Sequence, residues 1–248
     1  MLRTLMLPAA AAAILSVAAG HAFADPVPSV APAPAASSNA AILHLQFVVN
    51  GKKTDSGLEL PASGSAPPAY DKKVIKSSYA KSTQILGGLT FNRSATGIQS
   101  IATGRATTAT GIAAAASAAI GSFHGTLESP LGTLMTVTTG KITSQAAFTQ
   151  TKAGVRTVKG GASLLSVKID APALGINKTF SGSPMPNHVL YHNGDNSIVI
   201  YLNRQITTKL NDKITALAVD AVDVQIKNYK FAGNTISGNI TVAPTVAR

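Results

Sequence analysis

The chain has 248 residues, 21 Lys and Arg against 10 Asp and Glu, a formal charge of +11, and no cysteine. Disulfide staples and cysteine–metal centres are thereby excluded. Apolar residues make up 45%, but 41 of them are alanine and none is tryptophan, so an aromatic-lined pocket would have to be assembled from seven Phe and five Tyr.

Residues 1–24, MLRTLMLPAAAAAILSVAAGHAFA, open with the single cation Arg3 and run apolar from Leu5 to Ala19. They close on Ala22-Phe23-Ala24 ahead of Asp25. That is the plan of a cleaved secretory signal peptide, and the apolar run is short for a membrane span of about 20 residues. Its removal would leave 224 residues and lower the charge to +10. A periplasmic, cell-surface or extracellular location follows as the expectation, with no transmembrane span after signal removal.

Residues 25–40, rich in Pro, Ala and Ser, read as an extended, disordered leader. Residues 41–248 read as a single β-rich domain. Its first strand is predicted over 41–49 (AILHLQFVV), closed by Asn50-Gly51, the strongest short hairpin signal. Residues 52–72 collect Gly, Ser, Pro and charge and are predicted as a long loop. From Tyr70 onward alternating runs recur at 72–80, 84–91, 133–148, 155–170, 197–207 and 214–229. Thr, Val and Ile fill them, a β composition. In 214–229 the apolar phase changes: Leu217, Val219 and Ala221 are followed by Val222, Val224 and Ile226. A period-2 strand changes phase only through a bulge or sharp bend, here at Ala221–Val222, with Asp220 and Asp223 facing out on either side. Residues 101–121 mix alanines that favour helix with Gly104, Gly111, Gly121 and frequent Thr. Strand is the preferred reading and a short helix the alternative. The fold class is therefore all-β: one antiparallel β-sandwich or barrel-like domain. An outer-membrane barrel is disfavoured, since twelve scattered aromatics cannot furnish two girdles.

Several features in order carry a resemblance: the strand 134–148 (LMTVTTGKITSQAAF), the Gly160-Gly161 turn into 162–169, a stretch with Pro184, Pro186 and Asn187, the run Leu202-Asn203-Arg204-Gln205, and the alternating strand 214–226. Together, over about residues 70–240, they resemble the choice-of-anchor P family of bacterial exported proteins. The resemblance implies export and a β-rich surface domain of unknown function, with no enzymatic activity. Members usually end in an anchor of short motif, apolar segment and basic tail. The ending ISGNITVAPTVAR departs from that pattern.

Candidate chemistry is sparse. His188 and His192 with Asp195 could ligate zinc if they converged. The surrounding Pro186, Asn193 and Gly194 argue for a loop, and no Glu lies between the histidines as a zinc-protease helix requires. No Gly-x-Ser-x-Gly elbow occurs. Glu59 and Glu128 are the only glutamates, so paired-carboxylate chemistry would fall to Asp220 and Asp223. Gly104-Arg105 and Gly87-Gly88 do not follow a phosphate-loop pattern. No enzyme and no cofactor is expected. The basic charge is the stronger signal. Lys72, Lys73, Lys76 and Lys81 cluster in one run and Lys227 and Lys230 in another, and such residues can contact polyanions such as anionic polysaccharide or envelope components. They also protect edge strands from pairing. Six arginines and no Trp weigh against sequence-specific nucleic-acid binding. Two function classes remain. One is a non-catalytic exported β domain for structure, adhesion or matrix contact. The other is a secreted small-ligand or polyanion-binding protein, or a hydrolase, with its site on the 184–196 loop.

Overall fold

The structure, a computed structural model, describes residues 35–107 and 111–248. The expected signal peptide and residues 25–34 of the expected leader lie outside the described residues. Sixteen strands follow in order: β1 (Ala36–Ala40), β2 (Leu43–Val49), β3 (Lys52–Glu59), β4 (Ala62–Ala66), β5 (Tyr70–Ile85), β6 (Leu89–Thr107), β7 (Gly111–Ile120), β8 (Ser122–Ser129), β9 (Gly132–Thr139), β10 (Ile142–Gln150), β11 (Arg156–Ala171), β12 (Ile176–Gly182), β13 (His188–His192), β14 (Ile198–Leu210), β15 (Lys213–Phe231) and β16 (Asn234–Ala247). One 3-10 turn, Pro172–Leu174, interrupts them.

The strands form two antiparallel eight-stranded sheets. The first takes β1–β4 from the start of the described chain and β13–β16 from its end. The second is the continuous stretch β5–β12. The fold is all-β, as the periodicity predicts; of the two architectures left open, the two sheets face each other as a sandwich, and residues 101–107 and 111–120 are strand. The Asn50-Gly51 hairpin also forms. Both residues have positive φ, +49° and +80°, the geometry of a type I′ turn.

Two expectations are corrected. Residues 36–40, assigned to the leader, are β1, held between β16 and β4. Residues 52–72 are not a loop: they hold β3, β4 and the start of β5. Their Gly, Ser and Lys content hides the strands because β3 is mostly exposed and needs few apolar side chains. Its pairing with β2 fixes it instead.

A crease crosses both sheets. In the first sheet, Asn203, Ala221 and Ala243 fall between paired residues on three neighbouring strands. The crease continues into Ala41–Ile42 and Leu60–Pro61. In the second it runs through Ser77, Gly97, Gly121, Gly140–Lys141 and Leu165–Ser166. On every strand the inward-facing residues change phase there. In β15, Leu217 and Val219 face inward before it, Val222 and Val224 after it. The predicted break at Ala221–Val222 is real. It needs no inserted residue, because the pairing register with β14 and β16 is the same on both sides. Neighbouring strands bend in step, helped by positive φ at Asn203 (+50°), Ala243 (+51°) and Leu60 (+49°). At Gly97 and Gly121 the backbones approach so closely that a Cβ on Gly97 would stand 3.3 Å from the Gly121 Cα. That explains glycine at both positions.

The crease divides the core. The lower half, toward the Asn50-Gly51 turn, packs Phe47, Phe91, Phe123, Leu45, Leu127 and Met135. The upper half, toward Ala36 and Ala247, is built from small residues: Ala36, Ala66, Ala114, Ala146 and Ala247 around Phe148, Leu217 and Val219. Small side chains let polar groups of one sheet reach backbone of the other. Ser144 Oγ donates to the Ala243 carbonyl at 2.5 Å, and Ser38 Oγ to the Thr103 carbonyl at 3.0 Å.

Candidate functional site

The 184–196 loop is occupied with holding backbone. His188 and His192 sit at the two ends of β13, whose pairing with β14 is irregular between Val189 and Tyr191. The His188 ring packs on Phe180, with centroids 5.1 Å apart. The His192 ring lies 3.2 Å from the Asn193 carbonyl. Asp195 Oδ1 accepts from the Ser197 amide at 3.0 Å, an Asx turn. That bond holds the exposed carboxyl below its ordinary pKa. The three candidate ligands serve three local contacts, and among the described residues no group of three His, Cys, Asp or Glu converges on a metal position.

The loop's other end shows what Leu202-Asn203-Arg204-Gln205 does. The buried Asn203 side chain accepts the Ala162 amide of β11 at 2.9 Å and donates to the Pro184 carbonyl at 2.9 Å. Gln205 Nε2 donates to Asn203 Oδ1 at 3.1 Å and reaches the Gly160 carbonyl at 3.3 Å, while its amide is capped by Asn187 Oδ1 at 2.8 Å. These residues sew β14 of the first sheet to β11 of the second and fix the loop between β12 and β13. Gly160 is needed there, because a Cβ would stand 2.6 Å from the Gln145 carbonyl and 2.7 Å from Leu217.

A second polar tie joins the sheets below the crease. Arg93 of β6 and Glu59 of β3 are both buried. Arg93 Nε donates to Glu59 Oε2 at 3.0 Å and Nη2 to Oε1, a bidentate pair. Arg93 Nη1 donates to Thr83 Oγ1 at 2.7 Å and to the Phe91 carbonyl at 3.0 Å. Lys81 Nζ reaches Glu59 Oε1 at 3.2 Å. Burial, then the Glu59 charge, pushes the neighbouring Tyr79 hydroxyl up to about 12.

The outer side of the first sheet carries a cross-strand polar row, and here another expectation is corrected. Asp220 and Asp223 point away from the second sheet, as read, but both are fully buried. Arg204 explains part of this for Asp223: it pairs with that carboxylate while its guanidinium lies 5.2 Å over the Tyr201 ring. Gln225 Nε2 adds a bond to Asp223 at 3.0 Å. Further along the row, Asp55 accepts His44 and Gln46 at 3.0 Å each. Burial pushes the Asp55 carboxyl up, but the Gly57 amide, Gln46, Lys53 and His44 outweigh it and hold it well below the usual carboxylate range.

The predicted lysines do not form one patch. Lys72, Lys73, Lys76 and Lys81 lie along the edge strand β5, but alternation and the crease divide them between its two sides. Lys81 is tied to Glu59. Lys227 and Lys230 belong to β15 of the other sheet, where Lys230 Nζ bonds Thr235 Oγ1 at 2.5 Å.

Sequence reasoning missed a valley on the outer side of the second sheet. It lies over the outward side chains Ala115 and Ser117 of β7, with a volume of about 530 Å³, and Ala113 and Ala119 continue the same outward row to either side. Ile101 and Thr103 wall one side, and Gln145 and Lys159 the other. Register adds two further cations: Arg105 directly opposite Ala113 on β6, and Lys73 opposite Ile101 on β5. The signal was weak because both faces of β7 are alanine, so hydropathy shows no alternation where burial alternates strictly. No family model and no curated protein matches this chain.

Proposed function

We propose that the chain is a non-catalytic exported β-sandwich of a bacterial cell envelope or extracellular space, making structural, adhesive or matrix contacts, as resemblance to the choice-of-anchor P family implies. One observation carries the reading: the chemistry-bearing side chains are spent on holding the sandwich, while the outer side of the second sheet is left as a broad small- and hydroxyl-residue surface. Asn203, Gln205, Arg93 and Glu59 tie sheet to sheet, and His188, His192 and Asp195 serve separate local contacts. Outward positions on β8 and β9, by contrast, are Ser122, His124, Thr126, Thr136 and Thr138. Such a surface suits wet, extended contact better than a closed pocket, which would need apolar walls and convergent polar groups. The test is mass spectrometry of the mature N-terminus combined with cell fractionation. The expected result is a chain beginning at Asp25 in the envelope or medium fraction. An intact Met1 in the cytoplasmic fraction would overturn the proposal.

A further inference from the structure

We propose that the valley along β7 binds a linear anionic polysaccharide, its carboxylates engaged by Arg105, Lys73 and Lys159. The inference deepens the matrix-contacting reading and rests on it for biological setting, not for the binding itself.

Shape comes first. Four outward positions, Ala113, Ala115, Ser117 and Ala119, give a floor of short side chains between strands that carry longer ones. The outward row from Ala113 to Ala119 spans six residue steps of about 3.3 Å, roughly 20 Å, and the two flanking strands stand about 10 Å apart. Those dimensions fit one extended chain lying along the strand. The volume of about 530 Å³ is partly open to solvent.

Chemistry then chooses the chain. Direct pairing sets three cations around the floor: Arg105 beside Ala113, Lys73 across Ile101 from Ser117, and Lys159 across Ala147 from Ala115. All three are exposed. The only acid in these rows is Asp71, opposite Thr103. Thr103 and Gln145 stand among the charges, Gln99, Thr143 and Thr149 flank them, and all supply amide or hydroxyl partners. No aromatic side chain stands in these rows, so stacking on sugar faces or bases is not provided. Specificity therefore falls on charge and hydrogen bonds, which a uronic-acid polysaccharide offers at regular intervals along an extended backbone. A protein partner would need a cluster of aromatic or large apolar anchors; the floor is alanine and serine, and Ile101 and Ile75 stand on one wall with no aromatic beside them.

The experiment uses the purified chain 25–248 and hexagalacturonate as probe, titrated calorimetrically in 150 mM salt, a condition set by the experimenter at which exposed charges more than about 8 Å apart are screened. Three variants separate shape from charge. The triple variant Lys73→Gln/Arg105→Gln/Lys159→Gln should weaken binding about 10-fold, since each exposed charge contact is worth only a small factor. Ala115→Tyr fills the valley at an exposed position without changing charge and should weaken binding as much. The control Lys52→Gln/Lys227→Gln/Lys230→Gln removes equal charge from the first sheet and should stay within about 2-fold. No binding of hexagalacturonate, an unaltered Ala115→Tyr, or a control that loses as much as the groove triple would each overturn the proposal. So would equal binding of single-stranded DNA, which would reduce the effect to net charge. Circular dichroism confirms that each variant is folded. Because the assay is blind to cellular location, it can fail while the export reading stands, and the reverse.

Discussion

β7 and β15 are both interior strands, and their burial differs completely. In β7 every second residue is buried and the intervening alanines look outward. In β15 ten consecutive residues, Leu217 to Ile226, are buried, including the carboxylates Asp220 and Asp223. Alternation tells which side of a strand a residue faces. It does not tell whether that side meets water. The second sheet keeps its polar outer side open, whereas the first keeps polar side chains covered and paired with Arg204, Gln225 and their neighbours.

If the interior polar groups hold the sandwich, the largest effect belongs to the buried pair. Arg93→Met strands Glu59 without its bidentate partner and should cost about 3–5 kcal/mol in urea unfolding. The double variant Arg93→Met/Glu59→Met should recover much of that loss. A cost below about 1 kcal/mol for the single change would place this pair with surface charges. Next is Asn203→Leu, which removes bonds to Ala162 and Pro184 at a residue with φ of +50°. It should cost about 2–4 kcal/mol, and Asn203→Gly less, because glycine accepts that φ freely.

Adjacent glycines sharpen the contrast between inward and outward positions. Gly160→Val meets the Gln145 carbonyl and Leu217 and should cost about 1–3 kcal/mol. At Gly161 the nearest atom to a new Cβ lies 3.7 Å away, so Gly161→Ser should stay within about 0.5 kcal/mol. Paired thermal melts would decide. Equal costs would mean that β11 does not approach the first sheet as described.

The smallest effect at neutral pH is Tyr79. Its folded pKa, about 12, lies above the ordinary 10.0. The stabilising contribution is therefore complete below pH 10 and is lost as pH rises toward 12. Absorbance at 295 nm should show a tyrosine titration near pH 12 that is lost in Tyr79→Phe. In Glu59→Gln that titration should move down, because the opposing charge is gone.

Much of this was legible in the residues. Asn50-Gly51 demanded a hairpin by its φ preference, and the phase change at Ala221–Val222 demanded a bend. β3 and β4 were illegible because Lys52, Lys53, Gly57 and Gly64 lack a hydrophobic signature; pairing with β2 and β1 makes them strands. β1 was hidden in a Pro/Ala/Ser context for the same reason. The valley was illegible because alanine on both sides of β7 gives period-2 analysis nothing to detect, and because Arg105, Lys73 and Lys159 come together only through register.

By itself the sequence determined the β class, the first hairpin, the bend in β15 and the excess of positive charge, since each follows from local conformational preference or from counting. Tertiary structure decided which polar residues are buried, that the strand bends line up as one crease through both sheets, and which cations share a surface. Those outcomes depend on pairing between strands far apart in the chain, as when β1 joins β16, and no local pattern encodes a partner's register.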